Sequence, residues 1–284
     1  MPKVAGIDVG SAFTKAVVLS DAAGAEAVVG RGAVRTGVDL EKAAADALAT
    51  ALADAGSPRE SVHYIATTGF GRSSVSFRDL QVTEITSGAR GARRLFPQAT
   101  AVLDIGSQCT RAITLTESGK VRGFKTNDKC AAGSGSFIVR AAKYLQIELG
   151  EVGEIALRAE NPQPISSICA VLAESEIINH VSAGVSVEDI LSGIYDSLAE
   201  RASMLLKRAG MGQDLVVIGG VARQRGMVRA LENRLKVAVS VPADCEYTCA
   251  LGAALLGLKR LQAQCATAFP AVASGGIESR SFNV

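Results

Sequence analysis

Residues 4–19 read VAGIDVGSAFTKAVVL, and residues 100–115 read TAVLDIGSQCTRAITL. Set 96 residues apart, Asp8, Gly10, Ser11, Thr14, Lys15 and Ala16 fall on Asp104, Gly106, Ser107, Thr110, Arg111 and Ala112. Each copy is an apolar run, a D-x-G-S turn and a second apolar run, which is the pattern of two strands joined by a tight turn. A period of about a hundred residues is too long for a solenoid. It predicts two related α/β lobes, over 1–98 and 99–266, followed by a loose tail over 267–284.

The segments around each copy fit that division. Leu40 to Ala55 is rich in Ala and closed by Gly56 and Pro58, so a helix is expected. Val62 to Thr67 is a short apolar run and reads as a strand. In the second half, helices are expected over Ser136–Leu145, Leu172–Val181, Val187–Lys207, Gly226–Leu235 and Ala250–Gln262. Strands are expected over Leu215–Ile218, ending in Gly219-Gly220, and over Ala238–Val241. Strands alternating with helices argue for sheets covered by helices.

Composition narrows the function. The 284 residues are 48% hydrophobic, with Lys+Arg 30 against Asp+Glu 28. That is enough apolar material for a sizeable core, and it lacks the basic excess that nucleic-acid binding needs. No Trp is present to serve as a base-stacking platform. Neither a leader pattern nor an apolar run of the ~18 residues that cross a bilayer is visible. The expectation is a cytoplasmic protein with reduced thiols and no nucleic-acid or membrane partner. Six cysteines in a chain of this length are too sparse for a disulfide scaffold.

The paired turns carry the chemistry. Gly10 and Gly106 allow the backbone close to a ligand. The N–H groups that follow can bind phosphate oxygens, with Ser11, Lys15, Ser107 and Gln108 as further donors. Asp8 and Asp104, at the strand ends, can hold Mg2+ through its waters, because Mg2+ dehydrates reluctantly. A single D-x-G is an ordinary turn. Two matched copies, with a third strand ending in Gly219-Gly220, argue for a cleft that grips a nucleotide from both sides.

These three motifs resemble the actin, sugar-kinase and Hsp70 superfamily of ATPases. The resemblance implies an α/β fold of two ribonuclease-H-like lobes with ATP in the cleft. Asp8-Val9-Gly10 and Asp104-Ile105-Gly106 would be its phosphate loops, and Ile218-Gly219-Gly220-Val221 its adenosine-binding strand end.

Two cysteines have more specific surroundings. Cys130 lies in DKCAAGSG and Cys169 in SSICAVLAESE, each ahead of an expected helix whose N-terminus favours thiolate. Their separation of 39 residues matches no short zinc or ferredoxin spacing. Both segments, with Ala66-Thr67-Thr68-Gly69-Phe70-Gly71-Arg72 and the stretch from Glu84-Ile85-Thr86 to Arg90-Gly91-Ala92, resemble the BadF/BadG/BcrA/BcrD-type ATPases. These comprise activators of 2-hydroxyacyl-CoA dehydratases and ATPase subunits of benzoyl-CoA reductases. The resemblance spans about residues 4 to 260. It implies that Cys130 and Cys169 of two subunits hold one [4Fe–4S] cluster, that ferredoxin reduces it, and that ATP drives an electron to an acyl-CoA partner.

One departure bears on the acceptor. The second phosphate loop of that family usually reads D-I-G-G-Q-D, and here it is DIGSQC, with Cys109 in place of a carboxylate. A thiol is a weak acceptor and a poor Mg2+ ligand, so slow hydrolysis is expected. A reductase with two different ATPase subunits tolerates one diverged copy, which favours a heterodimer with a sister subunit acting on an aromatic acyl-CoA. The alternatives are a dehydratase activator, a sugar-kinase-like phosphotransferase and a non-hydrolysing nucleotide-sensing module. Ser87-Gly88, where many relatives have Cys-His, receives no role. Cys245, Cys249, Cys265, His63 and His180 are read as packing or surface residues, and Glu174 and Glu176 as solvated helix charges.

Overall fold

A computed structural model of the chain describes residues 2–22, 25–127, 134–166 and 170–268. The first half forms strands β1 (Lys3–Val9), β2 (Phe13–Ala22) and β3 (Ala25–Arg35), helix α1 (Leu40–Asp54), strands β4 (Val62–Thr68) and β5 (Leu80–Gln81), and helix α2 (Glu84–Leu95). The second half forms β6 (Ala101–Ile105), β7 (Thr110–Leu115) and β8 (Val121–Asn127), then helices α3 (Gly135–Tyr144), α4 (Val152–Ala156), α5 (Ala170–Ser182) and α6 (Val187–Ala209). Strand β9 (Leu215–Ile218), helix α7 (Arg225–Leu235), strand β10 (Val239–Ser240) and helix α8 (Thr248–Ala268) complete it.

Two five-stranded sheets result, ordered β3-β2-β1-β4-β5 and β10-β9-β6-β7-β8. In each, the carboxylate-bearing strand pairs antiparallel with the strand after its turn and parallel with a later strand: β1 with β2 and β4, β6 with β7 and β9. The two sheets therefore share one topology, as the sequence repeat predicts.

Side-chain alternation decides which way the site faces. On β1, Ala5, Ile7 and Val9 pack with Ala44, Ala47, Leu48 and Ala51 of α1. Val4 points the other way and packs with Tyr64 and Leu258, the latter on α8. Asp8 shares the parity of Val4, so it faces the α8 side. On β6, Leu103 and Ile105 join the large core beneath α6 with Leu191 and Ile194, while Val102 packs with Ala89 and Ala92 of α2. Asp104 shares the parity of Val102. Both carboxylates thus face the layer between the sheets, where α2 and α8 pack against each other.

Strands up to Gln81 form the first sheet and strands from Ala101 onward form the second, while helices α2 and α8 each pack on the sheet of the other half. Helix α8 covers the first sheet, with Ala250, Leu251, Ala254 and Leu255 against Val17 and Leu19. Helix α2 covers the second sheet, with Ala89 and Ala92 against Val102, Ile113, Val216 and Ile218. The two helices approach so closely that a side chain at Gly252 would meet the Ser87 backbone. Helix α8 reaches Ala268, and the rest of the expected tail, from 269 onward, lies outside the described residues.

Strand β9 falls on its expected residues, and β4 runs one residue further, to Thr68. Helix α1 starts at Leu40, where the Asp39 carboxylate accepts from the Lys42 N–H at 2.9 Å, an N-cap that satisfies an otherwise orphaned donor. Strands β3 and β8 and helix α2 are elements that the residue pattern alone does not predict.

Candidate active site

The two D-x-G turns lie at the ends of the central strands. Asp8 and Lys15 are cross-strand partners on β1 and β2, so their side chains share a face, and Lys15 Nζ lies 3.5 Å from Asp8 Oδ2. Asp104 and Arg111 hold the equivalent places on β6 and β7, and Arg111 Nη1 donates to Asp104 Oδ2 at 2.9 Å. Asp104 is buried. Burial pushes its pKa up, an effect that Arg111 opposes and the charge of Asp8 reinforces. For Arg111, burial works against the charged form, and Asp104, Cys109 and Glu84 together outweigh it and raise the pKa.

Both turns are tied to their surroundings. The Gly10 carbonyl accepts from Thr36 Oγ1 at 2.7 Å, and Thr36 Oγ1 lies 3.0 Å from Thr14 Oγ1. The Gly106 N–H donates to the Cys109 carbonyl at 2.9 Å, which closes the second turn. Ser11 and Gln108 are exposed at the turn tips, and Ser107 and Cys109 are half-buried. The start of α3 sits on the second turn: the Gly135 N–H donates to the Gly106 carbonyl at 2.9 Å, and the Ser136 N–H to the Ser107 carbonyl at 2.8 Å.

Gly219 follows β9 and Gly69 follows β4, with φ of +89° and +92°. A Cβ on Gly219 would lie 2.7 Å from Asp104 Oδ1, and one on Gly69 would lie 2.5 Å from Asp8 Oδ1. Only glycine fits the conformation and leaves the carboxylates uncovered. Gly219 also donates its N–H to the Cys245 carbonyl at 3.0 Å, while Gly220 is exposed. Next to this strand end is a cavity of about 580 Å³, lined by Ala222, Arg223, Arg225, Val228, Pro242 and Cys245 among others.

The structure therefore brings Asp8, Gly10, Ser11 and Lys15 into one turn region and Asp104, Gly106, Ser107, Gln108, Gly219 and Gly220 into another. It also adds residues that had no role on sequence grounds. Glu84, in the first turn of α2, accepts from Arg111 Nη2 at 2.9 Å and from Arg72 Nη1 at 3.0 Å. Arg72 Nη1 also donates to the Gly69 carbonyl at 2.9 Å. Arg72 and Glu84 stood out only as parts of longer motifs. The signal for Arg111 was its alignment on Lys15.

The expected cluster ligands, Cys130 and Cys169, lie outside the described residues. The segments holding them lead into α3 and α5, and those helices are joined: Arg140 Nε lies 2.8 Å from Glu174 Oε1, and the Tyr144 hydroxyl donates to Glu174 Oε2 at 3.2 Å. Glu174, expected to be a solvated charge, is an inter-helix tie. Among the described residues no group of three or more His, Cys, Asp or Glu could hold a metal by itself. None of their helices is long and apolar enough to cross a membrane.

Two sheets of one topology, with paired carboxylate turns facing a shared helical layer, define the actin-like ATPase fold. The chain belongs to the BadF/BadG/BcrA/BcrD ATPase family, whose sequence profile matches residues 5–257. It is 41% identical over 257 residues to an activator of lactoyl-CoA dehydratase from Anaerotignum propionicum, covering 90% of this chain and 98% of that protein. It is 40% identical over 267 residues to one of the subunits of benzoyl-CoA reductase from Thauera aromatica, covering 92% and 94%. The solved activator of 2-hydroxyisocaproyl-CoA dehydratase from Clostridium difficile, with bound ADPNP, superposes with a TM-score of 0.88 at 35% identity, covering 93% of this chain and 97% of that one.

Proposed function

We propose that the protein is an ATP-dependent activator that delivers low-potential electrons to an acyl-CoA dehydratase or reductase. The observation that carries this reading is the pair of backbone hydrogen bonds from Gly135 and Ser136 to Gly106 and Ser107. Those residues begin the helix that follows the Cys130 segment. A change in the second phosphate turn would pass by these backbone contacts to the start of α3, which follows Cys130 by five residues in the sequence. In this reading the start of α3 is where nucleotide chemistry and thiolate chemistry are coupled.

In this reading the turns at Gly10 and Gly106 bind the phosphates, with Ser11, Lys15, Ser107 and Gln108 as added donors. The nucleoside end reaches Gly219, Gly220 and the neighbouring cavity. Asp8 and Asp104 are the catalytic pair. Two hard carboxylate oxygens suit Mg2+ completed by phosphates and waters rather than by a full protein cage. Bound there, Mg2+ would neutralise charge on the phosphates. Lys15 and Arg111 hold the two carboxylates in place across their strand pairs.

Cys130 and Cys169 supply two thiolates per chain, and a [4Fe–4S] cluster takes four, so a second subunit is required. Held there, such a cluster would store one electron received from a ferredoxin. Large apolar side chains exposed on α3 and α5, among them Val139, Tyr144, Leu172, Ile178 and Val181, support a partner packed around these helices. That partner is a second copy or a homologous sister subunit.

For the acceptor, relatives named as dehydratase activators weigh toward a 2-hydroxyacyl-CoA dehydratase. Cys109 supports the second reading, an aromatic acyl-CoA reductase with a complete sister subunit. Co-purification with the neighbouring enzyme components separates the two. A sugar-kinase-like phosphotransferase is disfavoured: relatives at 36–41% identity are named as dehydratase activators or a benzoyl-CoA reductase subunit.

The test is anaerobic purification followed by iron analysis and EPR. Wild-type protein carries iron and a cluster signal on reduction, and Cys130→Ala and Cys169→Ala lose both. Iron-free wild-type protein under those conditions removes the proposal.

A further inference from the structure

The two turns match closely except at the cation. Lys15 is a point charge, and its ion pair in the first half is with Asp8. Arg111 is a planar fork, and it grips two carboxylates, Asp104 and Glu84, each at 2.9 Å. Glu84 is itself shared, since Arg72 holds its other oxygen at 3.0 Å. Arg72 reaches on to the carbonyl of Gly69, the residue against Asp8 Oδ1. A single glutamate thus links the first-half glycine beside Asp8 to the second-half arginine on Asp104.

We propose that Glu84 is a positioning residue shared by both halves: it holds Arg111 on Asp104 Oδ2, leaves Oδ1 beside Gly219 for a metal ion and its waters, and makes Arg72 report the state of the first turn to the second. The inference rests on the nucleotide reading above. Three features set its physics. Glu84 is 15% exposed and Arg111 17%, so their pair is poorly screened. Arg111 with Asp104 alone would form an undivided pair that competes with Mg2+ for the same carboxylate. With Glu84 present, the guanidinium charge is divided between two carboxylates, and the competition weakens. Finally, Arg72 lies on the loop after β4, whereas α2 packs on the second sheet, so the Arg72–Glu84 contact joins the halves.

The test uses the full chain and MANT-ADP affinity measured with and without Mg2+, read separately from turnover. Glu84→Gln is expected to weaken the Mg2+-dependent affinity about tenfold while the Mg2+-free affinity stays within about twofold, as for one partner lost from a poorly solvated charge network. Arg72→Gln and Arg111→Lys, alone and together, are expected to be non-additive by about threefold or more when Glu84 is present and additive in the Glu84→Gln background. Arg72→Lys, which keeps the charge, restores most of the coupling. The unchanged Mg2+-free affinity shows that Glu84→Gln is folded, and circular dichroism checks the arginine variants. Additive effects in both backgrounds, or loss of Mg2+-free and Mg2+-dependent affinity in equal measure, overturn the inference while leaving the nucleotide reading intact. Wild-type protein that binds no MANT-ADP with or without Mg2+ overturns both.

Discussion

Gly69 and Gly219 stand at matched places in the two halves, each one residue past the strand that runs parallel to a carboxylate-bearing strand. Their φ values differ by only a few degrees, +92° and +89°. Asp8 and Asp104 lie 96 residues apart and these glycines lie 150 apart, so the second half carries 54 additional residues between its turn and its glycine. Those residues include α3 to α5 and both segments assigned to the cluster. Alanine at either glycine would be strained and would strike a carboxylate oxygen. Gly69→Ala and Gly219→Ala should each cost about 1–3 kcal/mol of stability and weaken nucleotide binding. Urea unfolding and nucleotide titration check this; wild-type values for Gly219→Ala would show that the strand end does not need glycine.

Cys109 sits in the second turn, two residues before Arg111, and its carbonyl closes that turn. A carboxylate there adds a hard oxygen where the thiol offers a soft, weak acceptor. Cys109→Asp should raise the ATP turnover of the isolated chain several-fold, measured as phosphate release. An unchanged rate would mean that the departure from the family's usual loop has no catalytic consequence.

The exposed apolar side chains of α5 give a prediction about assembly. Leu172 is 55% exposed and Ile178 is 51% exposed. Leu172→Glu and Ile178→Glu place charge where the partner subunit is proposed to sit. Both should lower the mass seen by light scattering toward that of one chain and reduce bound iron, while leaving Mg2+-nucleotide affinity within about twofold, since neither side chain belongs to the turns. Retained dimer with retained iron would move the interface elsewhere.

The thiols separate by environment. Cys265 is exposed, whereas Cys245 and Cys249 are buried. Burial pushes the Cys245 thiol up to about 12 and raises Cys249 well above its ordinary value. At pH 8, iodoacetamide should label Cys265 in the native protein and reach Cys245 and Cys249 only after unfolding. A raised folded pKa also sets the sign of a pH effect. Below the ordinary value of 9.0, Cys245 is protonated in both states and contributes no slope. Above it, the unfolded chain releases a proton that the native state keeps, so stability falls up to about pH 12. Cys245→Ala should flatten the decline between pH 9 and 10 by up to about 1.4 kcal/mol per pH unit, measured by urea unfolding; an unchanged slope would show that this thiol does not titrate on unfolding.

The parts legible in the sequence share a physical reason. Strands β1, β6 and β9 are buried on both faces, so they appear as continuous apolar runs ending in glycine turns. Strand β8 was not legible because most of its residues are exposed or half-exposed, and its sequence VRGFKTN carries no apolar alternation. Helix α2 was hidden for another reason. Its sequence EITSGARGARRL contains Gly88 and Gly91, which weaken helix propensity. Those glycines are required by tertiary packing, since a side chain at Gly91 would meet the Thr248 backbone of α8. The Arg72–Glu84–Arg111 chain was out of reach because its members come from three separate elements, and only the fold brings them together.

The crossing of α2 and α8 bears on how the protein is made. Val4, Val17, Leu19 and Tyr64 of the first sheet are covered by residues 250–258 of α8. During synthesis the opening strands leave the ribosome long before that helix exists, so one apolar face of the first sheet stays uncovered until nearly the whole folded chain has emerged. Folding of the N-terminal half must therefore wait for the C-terminal helix, and the nascent chain should depend on chaperones through that interval.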